Sequence, residues 1–343
     1  MMRDFLDLWA PELAPLVKIL SYESLLTKST LPRATYIFSD IERLRPERLP
    51  RLEAIYETLD SQKDRLTLLN HPSGSMKRYE LLRTLNEHGY NPYNIYRLDE
   101  IPSDLSFPVF VRGENDHRGS LTDLINNHDE LSAALGRLQS HPTRDKVVIE
   151  FCDTSDENGV FRKYSAYIVA GHVIPQHMMF SGNWLAKGAV SLALKKSDLY
   201  EERAYLRENP HEQPLREICK LAKVNYGRID YGVKDGKPVV WEINTNPTLM
   251  NTRSLEAKCC VTRSPFVQKI VNIFNEINCP EEPQAEITVP GVKAGISQRV
   301  ISASANWRDQ SFYLRKILWP RLKKKRKVVV RDFKKKLRKA RQK

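Results

Sequence analysis

The chain has 343 residues, is 41% hydrophobic and carries a formal net charge of +13. That length suits two or three subdomains with a sizeable core, and the absence of any run of eighteen apolar residues excludes a conventional membrane-spanning helix. The charge is local: residues 315–343 hold sixteen Lys and Arg against a single acid, Asp332, leaving residues 1–314 at −2.

The five cysteines, Cys152, Cys219, Cys259, Cys260 and Cys279, show no C-x-x-C spacing. The N-terminus places acids and prolines where a secretory leader would have a basic start and an apolar run. Both features point to a reducing cytoplasm and argue against a zinc site.

In chain order, residues 1–30 read as weakly patterned helix. Residues 34–40 and 65–70 read as strands flanking a helix over 48–59, a small parallel unit with a right-handed crossover. Ser73 or Ser75 caps a helix running to Glu87, with Lys77 in its first turn and Gly89 as its stop. Residues 107–112, FPVFVR, form a strand that leads into a glycine-bearing loop, GENDHRGS, at 113–120. The spacing of Leu and Ile predicts a helix over 123–140. Residues 145–152 form an apolar strand ending at Glu150.

Residues 161–175 read as a hairpin turned at Ala170-Gly171. The following segment, 176–188, carries His177, Asn183, Trp184 and Lys187. No partner stands at metal-ligand spacing from His177, which reads as a structural histidine. Residues 199–224 are helical and broken at Pro210 and Pro214.

The densest chemistry lies in 226–247, YGRIDYGVKDGKPVVWEINTNP. Ile229, Tyr231 and Val233 alternate with Arg228, Asp230 and Gly232. Beyond the turn, Val239, Trp241 and Ile243 alternate with Val240, Glu242 and Asn244. A strand shows such a row on one face because its side-chain period is two. A three-residue loop, Lys234-Asp235-Gly236, puts Asp230 opposite Val240, with Glu242 diagonally beside it and both apolar sets on one face. Two carboxylates and an amide oxygen then make a hard-oxygen site suited to Mg²⁺, with substrate phosphates and water completing its shell.

Residues 264–277 supply a last core helix, and 280–312 read as linker. The tail mixes bases with two apolar clusters, Ile317-Leu318-Trp319 and Val328-Val329-Val330. Such a segment favours an anionic lipid surface, with a solvated tail as the second reading and nucleic acid as the third.

The order R-x-D, hairpin, E-x-N-x-x-P resembles the metal-binding segment of ATP-grasp ligases, the superfamily of D-alanine–D-alanine ligase and glutathione synthetase. The FPV strand with its loop and the strand ending at Glu150 are similar to that superfamily's phosphate loop and adenine hinge. The resemblance implies an α/β (α+β) fold. Two lobes with antiparallel sheets, 75–150 and 151–279, would grip ATP. A reduced parallel α/β unit, 1–74, would precede them, and the linker and the basic tail, 313–343, would follow.

It also implies residue roles. Asp230, Glu242 and Asn244 would hold Mg²⁺, with Mn²⁺ as the alternative ion. Lys77, Arg112, Arg118, Gly119, Ser120 and Lys163 would contact ATP phosphates, and Glu150, Phe151 and Cys152 its base. Arg228, Lys187 and Arg253 would serve catalysis, Arg228 facing the acyl group, Lys187 the γ-phosphate and Arg253 a substrate carboxylate. Two departures stand out. Arg112 occupies the place of a usual lysine, and the ribose acid is missing, with Asp153 and Asp156 as stand-ins.

The implied activity is ligation of a small-molecule carboxylate to an amine or other nucleophile through an acyl-phosphate. The alternatives are a kinase acting on a hydroxyl, or a catalytically impaired nucleotide-binding module tethered to anionic membrane. The implied location is cytoplasmic, with the tail at the inner face of the membrane.

Overall fold

A computed structural model describes residues 2–64, 66–115, 119–143, 145–185, 195–250, 265–279 and 286–290. The elements in chain order are α1 (Met2–Leu8), α2 (Tyr22–Leu25), β1 (Thr30–Pro32), β2 (Tyr36–Ile37), α3 (Leu49–Asp60), β3 (Leu68–Leu69), α4 (Arg78–Glu87), β4 (Ile95–Arg97), β5 (Val109–Gly113) and α5 (His128–Arg137). They continue with β6 (Lys146–Glu150), β7 (Phe161–Val169), β8 (His172–Ser181), α6 (Lys196–Glu208), α7 (Glu212–Leu221), β9 (Tyr226–Lys234), β10 (Lys237–Asn244), α8 (Pro265–Glu276) and β11 (Glu286–Thr288). The chain divides into two units. One holds residues 1–18 and 33–285, the other 19–32 and 286–343.

The larger unit contains the strand–helix–strand expected near the N-terminus: β2 pairs with β3 in parallel, with α3 between them in sequence. Two antiparallel sheets follow. The first has three strands in the order β4-β6-β5, and the second four, in the order β10-β9-β7-β8. Two of the antiparallel pairs, β7 with β8 and β9 with β10, follow from short connections. β7 turns into β8 through Ala170 and Gly171, at φ 49° and 85°, the two left-handed residues of a tight hairpin.

The cores explain the alternation along the strands. On one face of the four-stranded sheet, Ile168, Ile229, Tyr231 and Val240 pack against Tyr205 of α6 and Leu215 and Ile218 of α7. On the other, Tyr167, Val169 and Tyr226 pack against α1 and α8 through Phe5, Phe266 and Ile270. A smaller cluster, Leu82, Ile95, Val147, Ile149 and Val239, joins α4 and the three-stranded sheet to the end of β10. Side chains next to that cluster form the site described below.

Asn70 fixes the N-terminal part to β9. It is buried, and its amide nitrogen donates to the carbonyls of Phe38 (2.9 Å) and Tyr226 (2.8 Å). Its Oδ1 accepts from the backbone N–H groups of Asn225 and Tyr226, both at 3.0 Å. Asn70→Ala strands buried polar groups at both ends and is expected to cost about 2–3 kcal/mol, read as a lower urea midpoint with an unchanged slope.

The helical reading of 199–224 resolves into α6 and α7. The break comes at Asn209, left-handed at φ 48°, while Pro214 sits in the first turn of α7, where its missing N–H costs nothing. In the smaller unit, part of the expected linker is a strand: β11 pairs antiparallel with β1, placing Ile287 opposite Leu31. Both residues are buried, and that burial holds a three-residue strand too short to show in the composition. Among the described residues no helix is long and apolar enough to cross a membrane. The basic tail lies outside the described residues.

Candidate functional site

The site is built on the β9–β10 hairpin. Its turn has two residues, Asp235 and Gly236, at φ 50° and 73°, and Lys237 pairs with Lys234. The expected three-residue loop is therefore corrected. Two left-handed residues give a turn whose twist matches the strands, and Asp-Gly supplies it readily. In an uninterrupted ladder that turn would set Asp230 against Trp241. A bulge between Val240 and Glu242 takes Trp241 out of the ladder, so that Glu242 pairs with Asp230 and Asn244 with Arg228. One extra residue reverses the facing of everything after it. Val240 and Ile243 turn to the core, while Trp241 and Glu242 line a cavity.

β7 completes the face. Ser165 pairs with Asp230 and Tyr167 with Arg228, and Lys163, two residues from Ser165, shares their side of the sheet. Asp230 is only 1% exposed. Its Oδ1 accepts from Arg228 Nε (2.8 Å) and Ser165 Oγ (2.8 Å). Its Oδ2 accepts from Arg228 Nη2 (3.0 Å) and lies 2.7 Å from Lys163 Nζ. Burial opposes ionisation, but Lys163 and Arg228 outweigh it and hold this carboxyl far below the usual range. Glu242 pairs through Oε2 with Arg78 and, at 3.7 Å, with Arg112. Its burial too is outweighed, first by Arg78, and the group is shifted down despite repulsion from Asp230. His177, opposite Ser165, is lowered to about 4 by burial and by Arg228.

One cavity gathers nine of the residues singled out in the sequence: Arg112, Gly119, Ser120, Glu150, Phe151, Cys152, Lys163, Asp230 and Glu242. It is two-natured. Tyr93, Phe110, Phe151, Phe161, Trp184 and Trp241 supply aromatic lining, and the residues around Asp230 and Glu242 supply charge. Trp184 lies 4.9 Å from Phe110 and edge-on to Phe151 at 5.8 Å, centroid to centroid.

Close packing sets one wall. A Cβ on Gly232 would meet Trp241 at 2.8 Å and Thr154 Oγ1 at 2.9 Å, and both neighbours line the cavity. Gly232→Ala must displace one of them. It is expected to cost about 1–3 kcal/mol and to change the intrinsic fluorescence through Trp241.

The other sequence-derived residues fall differently. Lys77 does not line the cavity; it stands before α4 with an extended backbone. Its neighbour Arg78 reaches the site instead, with Nη1 donating to the carbonyls of Glu114 (2.6 Å) and Gly113 (3.4 Å) and Nη2 to Glu242. A signal for Arg78 was present: with Leu81, Leu82 and Leu85 it makes the i, i+3, i+4, i+7 set that α4 buries. Arg78 also anchors the root of the 113–120 loop, which Arg97 braces through Glu114 at 3.1 Å.

Ser120 uses its hydroxyl within that loop, donating to Thr122 O at 2.6 Å and Val111 O at 3.1 Å. The carboxylate of Glu150 accepts from Asn94 N (2.8 Å), Ser106 N (3.1 Å) and Tyr96 Oη (3.3 Å). Phe151 N donates to Pro108 O. Neither ribose stand-in lines the cavity: Asp153 accepts from Ser155, and Asp156 pairs with Arg162 at 2.7 Å. Asn244 is also outside the lining, its Oδ1 accepting from Asn246 N at 2.8 Å. Arg118, Lys187 and Arg253 lie outside the described residues.

A hard divalent cation fits this donor set unevenly. Glu242 Oε1 has no partner among the described residues, and the side chain lines the cavity. Asp230 already accepts at every position its two oxygens offer. Among the described residues no three His, Cys, Asp or Glu side chains form a metal cluster.

No protein-family model matches the chain, and no curated protein matches it. Solved structures similar to it include the D-alanine–D-alanine ligase of Bacillus anthracis in complex with ATP, at 18% identity over 68% of this chain and 78% of that one, with a TM-score of 0.40. The VanG D-Ala:D-Ser ligase of Enterococcus faecalis is similar at 13% identity over 65% and 69%, with a TM-score of 0.37. The L-amino acid ligase of Bacillus licheniformis is similar at 16% identity and a TM-score of 0.34; 51% of this chain aligns with it, spanning 41% of that enzyme. These are ATP-grasp enzymes, the superfamily that the motifs resemble.

Proposed function

We propose that this chain is an ATP-dependent ligase of the ATP-grasp type, joining a carboxylate to an amine or other nucleophile with release of ADP. One observation carries the reading. A single cavity joins an aromatic lining to Arg112, Lys163, Asp230 and Glu242, and Arg78 and Arg228, which are not part of the lining, pair with the two carboxylates. A flat aromatic base with a polyanionic tail is the ligand that complements both.

The chain's own groups divide the work. Phe110, Phe151 and Trp184 would receive the base. Arg112 and Lys163 would hold the triphosphate, Arg112 with bidentate reach where a lysine offers a point charge. Positioning and charge neutralisation are the main demands of phosphoryl transfer. A carboxylate oxygen of the substrate attacks the γ-phosphorus, ADP leaves and an acyl-phosphate forms. The amine nitrogen then attacks the acyl carbon, phosphate leaves, and the amine gives up a proton to solvent. Arg228 spends Nε and Nη2 on Asp230, and its Nη1 has no partner among the described residues. That nitrogen is the donor for the tetrahedral oxyanion. Mg²⁺ or Mn²⁺ would be held by Glu242 through Oε1, together with phosphate oxygens of the substrate, and would supply charge neutralisation on the phosphates.

The test is an ADP-release screen of carboxylates paired with amines, with products identified by mass spectrometry. An amide formed with ADP is the expected result. A phosphorylated hydroxyl compound without amide would make the protein a kinase. Nucleotide binding without turnover would make it a binding module.

For the tail, an anionic lipid surface is the proposed partner, since bases and apolar anchors are interspersed there. Deleting 315–343 is expected to abolish sedimentation with phosphatidylserine vesicles and to leave ADP release unchanged. Undiminished sedimentation would reject the lipid partner.

A further inference from the structure

We infer that Glu42 is a positioning residue for acyl transfer: from the connection between β2 and α3 it locks the turn that follows Asn244, and with it the place of Arg228. The inference rests on the ligase reading above and adds to it a residue from the N-terminal part of the chain.

Glu42 stands in a single helical turn, Ile41–Arg43. Asp40 enters that turn left-handed at φ 63° and pairs with Arg43 at 2.7 Å. Arg43 stays exposed, while Glu42 is buried. Its Oε1 accepts from Thr245 N and its Oε2 from Thr245 Oγ1, both at 2.7 Å. Thr245 Oγ1 in turn accepts from Ile41 N at 3.1 Å, which closes a ring between segments 203 residues apart. Both groups that meet Glu42 are donors, so the side chain must accept at both of its ends. A carboxylate does so, whereas a glutamine would set its NH₂ against one donor. Thr245 is buried, and water does not replace a bond lost there.

Thr245 is the first residue beyond β10. On one side of it, Asn244 is the ladder partner of Arg228. The carbonyl of Asn244 lies so close to β9 that a Cβ on Gly227 would meet it at 2.9 Å. On the other side, Asn246 N donates back to Asn244 Oδ1 at 2.8 Å, and Gln176 of β8 donates to Thr248 O at 3.1 Å and to Leu249 O. The strap 245–249 is thus held at its far end by the four-stranded sheet and at its near end by Glu42. A slip at Thr245 passes through Asn244 to β9 at Arg228, the donor to the oxyanion in the ligase reading. Asp230 and Glu242 stand two residues along their strands from that pair, so the nucleotide end should feel the slip less.

The experiment compares the full chain with Glu42→Gln, Thr245→Val and the double variant. Each is expected to lower kcat for amide formation about 10–100-fold, the effect of a displacement of about 1 Å in a positioned group. KM for ATP and the calorimetric affinity for a non-hydrolysable ATP analogue are expected to stay within about twofold. The double variant should be no slower than the slower single one, because both substitutions break the same ring. Thr245→Ser keeps the hydroxyl and should recover most of the loss.

A kcat within about twofold of the unmodified chain in both Glu42→Gln and Thr245→Val would overturn the inference and leave the ligase reading standing. Additive losses in the double variant would do the same, as would a fall in analogue affinity as large as the fall in kcat. An unmodified chain that forms no amide from any carboxylate and amine would overturn both. Thr245→Val retains the backbone bond to Glu42, so the comparison does not depend on the folding of Glu42→Gln.

Discussion

Replacing Asp230 with asparagine is expected to lower the free energy of unfolding by about 3–5 kcal/mol, the usual cost of removing one partner from a buried ion pair. Asparagine keeps the shape but supplies one acceptor oxygen and no charge, so Lys163 and Arg228 stay desolvated without compensation. Both are largely buried, with side chains 20% and 16% exposed. Urea unfolding at pH 7 measures the loss, and a change under about 1 kcal/mol would show that the cations turn to solvent when Asp230 is neutralised.

The same pair sets the acid limb of the stability curve. The folded-state pKa of Asp230 is depressed, so its contribution is full above the unfolded value of about 3.9 and is lost as pH falls below it. Glu242 acts in the same direction. His177 is also depressed, to about 4, and the unfolded chain takes up its proton near 6.5. Stability should therefore be level above pH 7, decline between about 6.5 and 4 through His177, and fall more steeply below through the carboxylates. In Asp230→Asn the steeper limb should flatten while the upper one persists.

Glu242→Gln is expected to reduce ATP turnover by about 10²–10³-fold, the range seen when one preorganised electrostatic group is removed from an active site. The amide neither balances Arg78 and Arg112 nor offers a cation a charged ligand. Arg78 keeps its bonds to the carbonyls of Gly113 and Glu114, so the loop root should hold and the loss should fall mainly on kcat. Arg78→Lys is the companion measurement. An ammonium cannot span two carbonyls and Glu242 as the planar fork does, and both KM for ATP and kcat should suffer. Turnover of Glu242→Gln within about threefold of the unmodified chain would remove this carboxylate from the chemistry.

Local chemistry was legible where it repeats along the chain. Ala170-Gly171 and Asp235-Gly236 announce hairpins because few residues tolerate two left-handed positions in succession. The alternation along β9 announces its two faces. The β10 register was not legible. A bulge at Trp241 depends on how an indole packs beside Gly232 and Thr154 across the sheet, and nothing in the order of residues counts that extra position. Arg78 differs: its neighbour Lys77 is equally basic, but Leu81, Leu82 and Leu85 stand three, four and seven positions beyond Arg78, and that spacing marks it as the one that α4 turns inward.

By itself the sequence determined the residue types of the site, their order and the hairpin that carries the two carboxylates, since these follow from side-chain period and turn chemistry, which are local. Only the tertiary structure decided that Asp230 stands directly opposite Glu242, that four basic side chains from β5, β7, β9 and α4 converge on them, and that Asp230 is fully engaged by its neighbours. Those outcomes depend on contacts between residues as many as 164 positions apart, and on the desolvation that makes each buried charge demand a partner.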